Sequence, residues 1–296
     1  MVNRLEVASF KCDCLRIGGV SIVYSGRMFL IDKLLKRPSA EQQAIDEYNA
    51  GFKAKYDGDW AASLAHNQRA AELNPNDQAT WWNLAIAATA LRDWPEARRA
   101  WIACGVTPNE SEGEVTTPEN WACVRLVPSG AAEVVWGKRI DPARIKVMNV
   151  PLPESDRLYG DIILNDGAQE GTRVSRGQEF PVFDELAVWR RSEFSTYRIE
   201  VEGASEESRA SLARICEENE VPFEDWGTVR ILCEACSRGN PGVHECSNAA
   251  EPSGPARFGF AAKGLERLRK ALTEWREVAP EVRFGEAELL VSGVSQ

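Results

Sequence analysis

Cys233 and Cys236 form a Cys-x-x-Cys pair, and His244 and Cys246 follow as a His-x-Cys pair, so four soft ligands fall within 14 residues. Two such pairs joined by a short spacer can enclose a tetrahedral zinc ion. All four positions would be filled, so the site would be structural and not catalytic. The loop that carries them, 233–256, is rich in Gly, Pro, Ser and Asn, and a metal would reduce its conformational freedom. The bland reading is free thiols beside an exposed histidine, and the spacing alone leaves both open. Of the other cysteines, Cys104, Cys123 and Cys216 fall at packed positions and read as small hydrophobes. Cys12-x-Cys14 is too weak a signal to count, and His66, on a helix, reads as a surface residue.

No catalytic constellation accompanies these residues. The chain lacks the phosphate-cradling glycine loops, the Gly-x-Ser-x-Gly elbow and the His-Glu-x-x-His helix. With two histidines, acid–base chemistry would fall to carboxylates, and 45 acids offer no particular pair. The expectation is a protein that is not an enzyme. A deep pocket with convergent polar groups in the C-terminal half would argue the other way.

The 296 residues suggest two or three compact units. A formal net charge of -10 argues against nucleic acid, which needs Lys and Arg for its phosphates, and against an anionic membrane surface. No apolar run approaches the ~20 residues that span a bilayer. Arg4, Glu6, Lys11, Asp13 and Arg16 interrupt the N-terminus and make it a poor secretory signal. A cytoplasmic, reducing setting is expected, in which cysteines are thiols or metal ligands before they are disulfides.

The elements that must position these groups fall into five stretches. Residues 1–38 are an extension, either disordered or a strand at 18–24 and a short helix at 29–35, and Met28 could be an alternative start. Helical signals fill 39–107, and 108–119 reads as a linker. From 120 to 192 short apolar runs at 121–127, 132–135, 144–150, 159–164 and 180–189 are separated by turn signals such as Pro128-Ser129-Gly130 and Asn165-Asp166-Gly167. That spacing predicts a small, mostly antiparallel β domain, a barrel or a sandwich. From 193 to 296 the pattern predicts strands near 197–201, 228–232, 257–262 and 282–291, with helices at 205–219 and from Leu265 through Leu268 and Leu272 to Trp275. The order β-α-β-β-α-β is that of a ferredoxin-like domain, here with the Cys/His loop inserted. The fold class expected is therefore α+β and multidomain.

Within the helical stretch, Trp81-Trp82-Asn83-Leu84-Ala85 is followed by Asp93-Trp94, Ala97, Trp101 and Cys104. One period earlier stand Gly51, Gly58-Asp59-Trp60, Ser63, Leu64, Ala70 and Leu73-Asn74-Pro75-Asn76-Asp77. This pattern resembles the tetratricopeptide repeat (TPR), a 34-residue helix–turn–helix, and residues 44 to about 107 would hold two copies. Glu47 and Asn67 depart from it, standing where large apolar residues are usual.

The resemblance implies a concave, partner-binding surface made by the first helix of each repeat. Its lining would be Ile45, Tyr48, Phe52, Lys55 and Tyr56, then Ala79, Trp82, Ile86 and Thr89. Some members of the family clamp a chaperone's terminal carboxylate with Lys and Asn at positions held here by Tyr48, Phe52 and Ile86, so that activity is not expected. The groove is aromatic instead. Either it binds an apolar peptide or helix, or the chain fills it from within, because two repeats are fewer than a stable stack usually needs. Three functions follow in order: a bacterial-type adaptor that docks a protein or peptide, an immunity protein whose acidic face occludes a basic toxin, and an enzyme of the C-terminal half.

Overall fold

The computed structural model describes residues 38–126, 133–227 and 255–294. The fold is mixed α+β. Four helices come first: α1 (Ala40–Tyr56), α2 (Trp60–Leu73), α3 (Gln78–Leu91) and α4 (Trp94–Ala103). Each packs on the next, and α1 also reaches α3. Each start is fixed by a side chain that accepts from the orphan N–H groups of the first turn, as Ser, Asp and Asn do best. Ser39 caps α1, Asp59 caps α2, Asp77 caps α3 and Asp93 caps α4. Asp59 accepts from Ala62 N at 3.0 Å and Asp93 from Glu96 N at 3.2 Å, so the two Asp-Trp pairs do the same work one period apart.

The α1–α2 crossing accounts for the polar residues Glu47 and Asn67, which stand where the sequence pattern leads one to expect large apolar ones. A Cβ on Gly51 would lie 2.5 Å from Asn67 Nδ2, so only glycine permits this approach. Asn67 is fully buried there. Its Nδ2 donates to Ser63 O at 2.8 Å, and Ser63 Oγ donates to Gly51 O at 2.9 Å. The helices meet through hydrogen-bonded polar groups where a large apolar side chain would not fit. Glu47 sits at the rim and pairs with His66 at 2.6 Å and Arg69 at 3.0 Å. Residues 108–119 hold no helix or strand, as a linker would, yet the segment is pinned. Val115 is buried in the helical core, and Thr116 N donates to Asn109 Oδ1 at 3.0 Å.

A five-stranded closed barrel follows: β1 (Asn120–Leu126), β2 (Glu133–Asp141), β3 (Arg144–Val147), β4 (Ile162–Ser175) and β5 (Gln178–Arg190). Neighbours in sequence pair antiparallel. The closing pair, β1 with β5, is parallel, because an odd number of meandering strands brings first and last together in the same direction. Ala122, Val124, Leu126, Ile145, Val147 and Ile163 fill the inside. Asn165-Asp166-Gly167 does not turn the chain, as its composition suggests. It lies within β4, where the register with β5 shifts repeatedly, and such bulges re-aim side chains. The reversal comes at Arg176-Gly177, both with positive φ, as a two-residue hairpin requires.

The C-terminal unit runs β6 (Ser195–Glu202), α5 (Glu206–Glu218), β7 (Phe223–Asp225), β8 (Ala256–Ala262), α6 (Leu265–Val278), β9 (Arg283–Phe284) and β10 (Glu288–Val291). The sheet order is β10-β6-β8-β7, all antiparallel, with β9 also on β6. Ile199, Val201, Phe258 and Phe260 from the sheet meet Leu212, Leu268, Leu272 and Trp275 from the helices. The expected strand at 228–232 lies outside the described residues, and β7 stands just before it. The expected final strand, 282–291, is broken into β9 and β10.

Barrel and sheet are joined by the segment after β3. Trp226 Nε1 donates to Val150 O at 3.0 Å, Asn149 Nδ2 to Glu224 Oε2 at 2.8 Å, and Leu152 N to Glu133 Oε2 at 2.9 Å. Burial pushes the Glu133 carboxyl up to about 7, outweighing the hydrogen bond from Leu152, with Glu224 and Glu154 pushing the same way. A carboxyl raised in the fold favours folding while protonated. Its contribution is full below the ordinary carboxylate range and is lost as pH rises through about 7. Glu133→Gln should therefore raise the thermal midpoint by several degrees at pH 8 and leave it nearly unchanged at pH 4. Melting curves across that range check this, and equal midpoints at pH 8 would contradict it.

Candidate functional site

The residues expected to line one surface of α1 and α3 divide into two groups. In the half built on α3, the chain's own barrel is the occupant. Ile86 and Thr89 are fully buried. Trp101 Nε1 donates to Thr89 Oγ1 at 3.2 Å, and Trp189 Nε1, from β5, donates to Thr89 O at 3.2 Å. Trp82 meets Trp101 edge-to-face at 5.1 Å. It also lies against Gly167 of β4, where an added Cβ would lie 1.8 Å from Trp82 Nε1. Leu164, Leu186, Ala187 and Trp189 of the barrel share one core with Leu84, Ile86 and Trp101 of the helices.

At the boundary between the halves, Lys55 is 3 % exposed. Its Nζ lies 3.0 Å from Asp166 Oδ1 and 3.1 Å from Asn83 Oδ1. The Tyr56 hydroxyl donates to the other oxygen of Asp166, and Gly167 N donates to Oδ1 at 2.6 Å. The ammonium also sits 4.8 Å and 4.6 Å from the ring centroids of Phe52 and Tyr56, distances at which ring faces attract cations. Burial pulls the Asp166 carboxyl upward, but the Lys55 charge and the hydrogen bonds from Tyr56 and Lys55 outweigh it and hold Asp166 below the usual carboxylate range. Burial first, then the bond to Asp166, pushes the Tyr56 hydroxyl up.

A second tie lies behind the first. Arg144, fully buried, pairs with Asp141 at 2.7 Å and donates to Val115 O at 2.7 Å. Its guanidinium lies 5.0 Å and 4.5 Å from the rings of Trp94 and Trp189. One cation thus holds a helix, the connecting segment and the barrel together.

In the half built on α1, nothing described covers the face. Ile45 is 47 %, Phe52 40 % and Tyr56 55 % exposed, and Tyr48 is half-buried. Tyr48 stacks on Phe52 at 6.0 Å, and Phe52 meets Tyr56 edge-on at 4.9 Å. These rings recur four residues apart and so share one face of the helix. Of the lining expected from sequence, Lys55, Trp82, Ile86 and Thr89 are packed against the barrel. Tyr48, Phe52 and Tyr56 form the open row, with Ile45 beside them and Ala79 exposed on α3. Asn83, Asp166 and Gly167 complete the arrangement and were not expected. A buried lysine demands an acid, but 45 acids do not say which.

Cys233, Cys236, His244 and Cys246 lie outside the described residues, as do Cys12 and Cys14. Among the described residues no group of three or more His, Cys, Asp or Glu could hold a metal, and no helix is long and apolar enough to cross a membrane. Burial pushes the thiols of Cys104, Cys123 and Cys216 up to about 11, 12 and 12, which leaves them without thiolate character.

No protein-family model matches the chain, and no curated protein matches it. A crystal structure described as that of a hypothetical protein from Neisseria gonorrhoeae is 16% identical over 60% of this chain and 99% of that one, with a TM-score of 0.27. A likeness of that size carries no argument about fold or function.

Removing one member of a buried ion pair strands the other, which costs roughly 3–5 kcal/mol. Asp166→Ala and Lys55→Met should each lower stability to chemical denaturation by about 3 kcal/mol. The double variant should lose clearly less than the sum. Additive losses would show that the two groups do not interact.

Proposed function

We propose that this chain is a non-enzymatic protein-binding protein of the tetratricopeptide-repeat type, which docks an apolar, helix-forming segment of a partner on α1. The observation that carries the reading is the solvent-facing aromatic row of Tyr48, Phe52 and Tyr56, with Ile45 next to it, beside the buried Lys55–Asp166 pair. Contiguous exposed apolar surface on a folded protein marks an interaction site more often than it marks chance. Rings already in contact lose little side-chain freedom on binding, so they supply contact area at low entropic cost.

The repeat assignment is supported by the two helix pairs, by their Asp-Trp starts one period apart, and by Gly51 at the closest crossing. For the C-terminal unit, the antiparallel order β10-β6-β8-β7 with two helices on one sheet supports the ferredoxin-like reading. That fold hosts many functions and adds none by itself.

The function is tested by affinity capture from a native lysate with wild type and Tyr48→Ala/Phe52→Ala, matched for thermal midpoint. A protein retained by wild type and lost by the variant is the expected result. Identical captured sets would remove α1 as the binding face. The zinc proposal for Cys233, Cys236, His244 and Cys246 has its own readout. Elemental analysis should find one zinc per chain, lost in Cys236→Ser, whereas a folded wild-type protein free of zinc would refute it.

A further inference from the structure

A cleft of about 620 Å³ opens where the loops of the barrel meet the C-terminal unit. Its size lies within the range of small-molecule sites, and such sites favour junctions between units. Cys216 and Val221, both buried, form its floor. Three rings stand around it. Tyr159 and Phe194 hold each other edge-to-face at 5.1 Å, and Phe223 is stacked on Phe260 at 5.9 Å.

The charges at the cleft do not cancel. Lys263 is paired with Glu193 at 2.9 Å and also covers the Phe194 ring at 5.4 Å. Arg267 is paired with Glu220. That leaves Glu217, on α5, which has no ion pair and no side-chain hydrogen bond with any described residue. Two cations thus already have counter-ions, and Glu217, an exposed carboxylate lining the same cleft, has none among the described residues. An anionic ligand would have to break one of the existing pairs. A cation would meet Glu217 without breaking either of these pairs, in a cleft that Tyr159 and Phe223 also line and whose ring faces can attract a cation.

We propose that this cleft binds a small molecule carrying one ammonium group on an apolar body about the size of a phenyl ring, with Glu217 as its counter-ion. This site is separate from the α1 face, and neither depends on the other.

The test is calorimetric titration of the full chain near pH 7.5 in low salt, with phenethylamine as probe and 3-phenylpropanoate as its anionic counterpart. The amine should bind at one site and the anion should not. Glu217→Gln, an exposed helical change that leaves the thermal midpoint unaltered, should weaken the amine at least tenfold. Ala213→Trp, which fills the cleft, should abolish binding, and if that variant melts early Glu217→Gln alone decides. The proposal is overturned if the amine does not bind at millimolar concentration, if the anion binds equally well, or if Glu217→Gln leaves the affinity unchanged.

Discussion

The ion pair between Lys55 and Asp166 sets the relation between the two groups of residues expected on one surface of α1 and α3. A charge taken out of water is expensive, and a buried pair often does no better than break even against apolar side chains of the same size. Its value here is directional. Lys55 Nζ must find Asp166 and Asn83 together, and Asp166 must also meet Tyr56 and Gly167. The observed placement of the barrel on the helices satisfies all of these at once. A slide by one residue would leave a buried ammonium and a buried carboxylate unpaired. The apolar core that surrounds the clamp supplies most of the adhesion, and the clamp selects which adhesion.

From that placement the rest follows. The barrel covers α3, so Ile86 and Thr89 become core and Trp82 packs against β4, and the two helix pairs gain a cover on that side. Arg144 repeats the device from the barrel side, stacked between Trp94 and Trp189. Because β4 stops the groove at Lys55, the aromatic row of α1 is left outside the core, and Phe52 and Tyr56 are held in place by the cation beneath them. The same rings therefore serve the clamp on one side and face solvent on the other.

What could be read from the sequence depended on how local its causes are. Helix starts are local. Ser39, Asp59, Asp77 and Asp93 satisfy backbone groups within three residues of themselves, so the helices and their period were legible. Strand alternation at Ile199 and Val201, and at Phe258 and Phe260, is local in the same sense. The role of Lys55 is not, since its acid lies 111 residues away. Nor is that of Asn165-Asp166-Gly167, whose composition says turn. Gly167 is there because the Trp82 ring leaves no room for a Cβ, and Asp166 because a buried lysine needs it. The parallel closure of the barrel follows from counting strands, not from any residue in them. Of the residues expected on one surface of α1 and α3, some are packed under the barrel and some are open to solvent, and that division rests on packing between distant segments.

The account is tested most directly by chemical labelling of lysines in the native protein, read by mass spectrometry with fragmentation between Lys53 and Lys55. Lys53 has a side chain 77% exposed, whereas that of Lys55 is 2% exposed and paired with Asp166. Brief treatment with an amine-acylating reagent should modify Lys53 and spare Lys55 until the protein is denatured. Equal modification of both in the folded state would mean that the clamp is not closed, and that the barrel does not fill the groove as described.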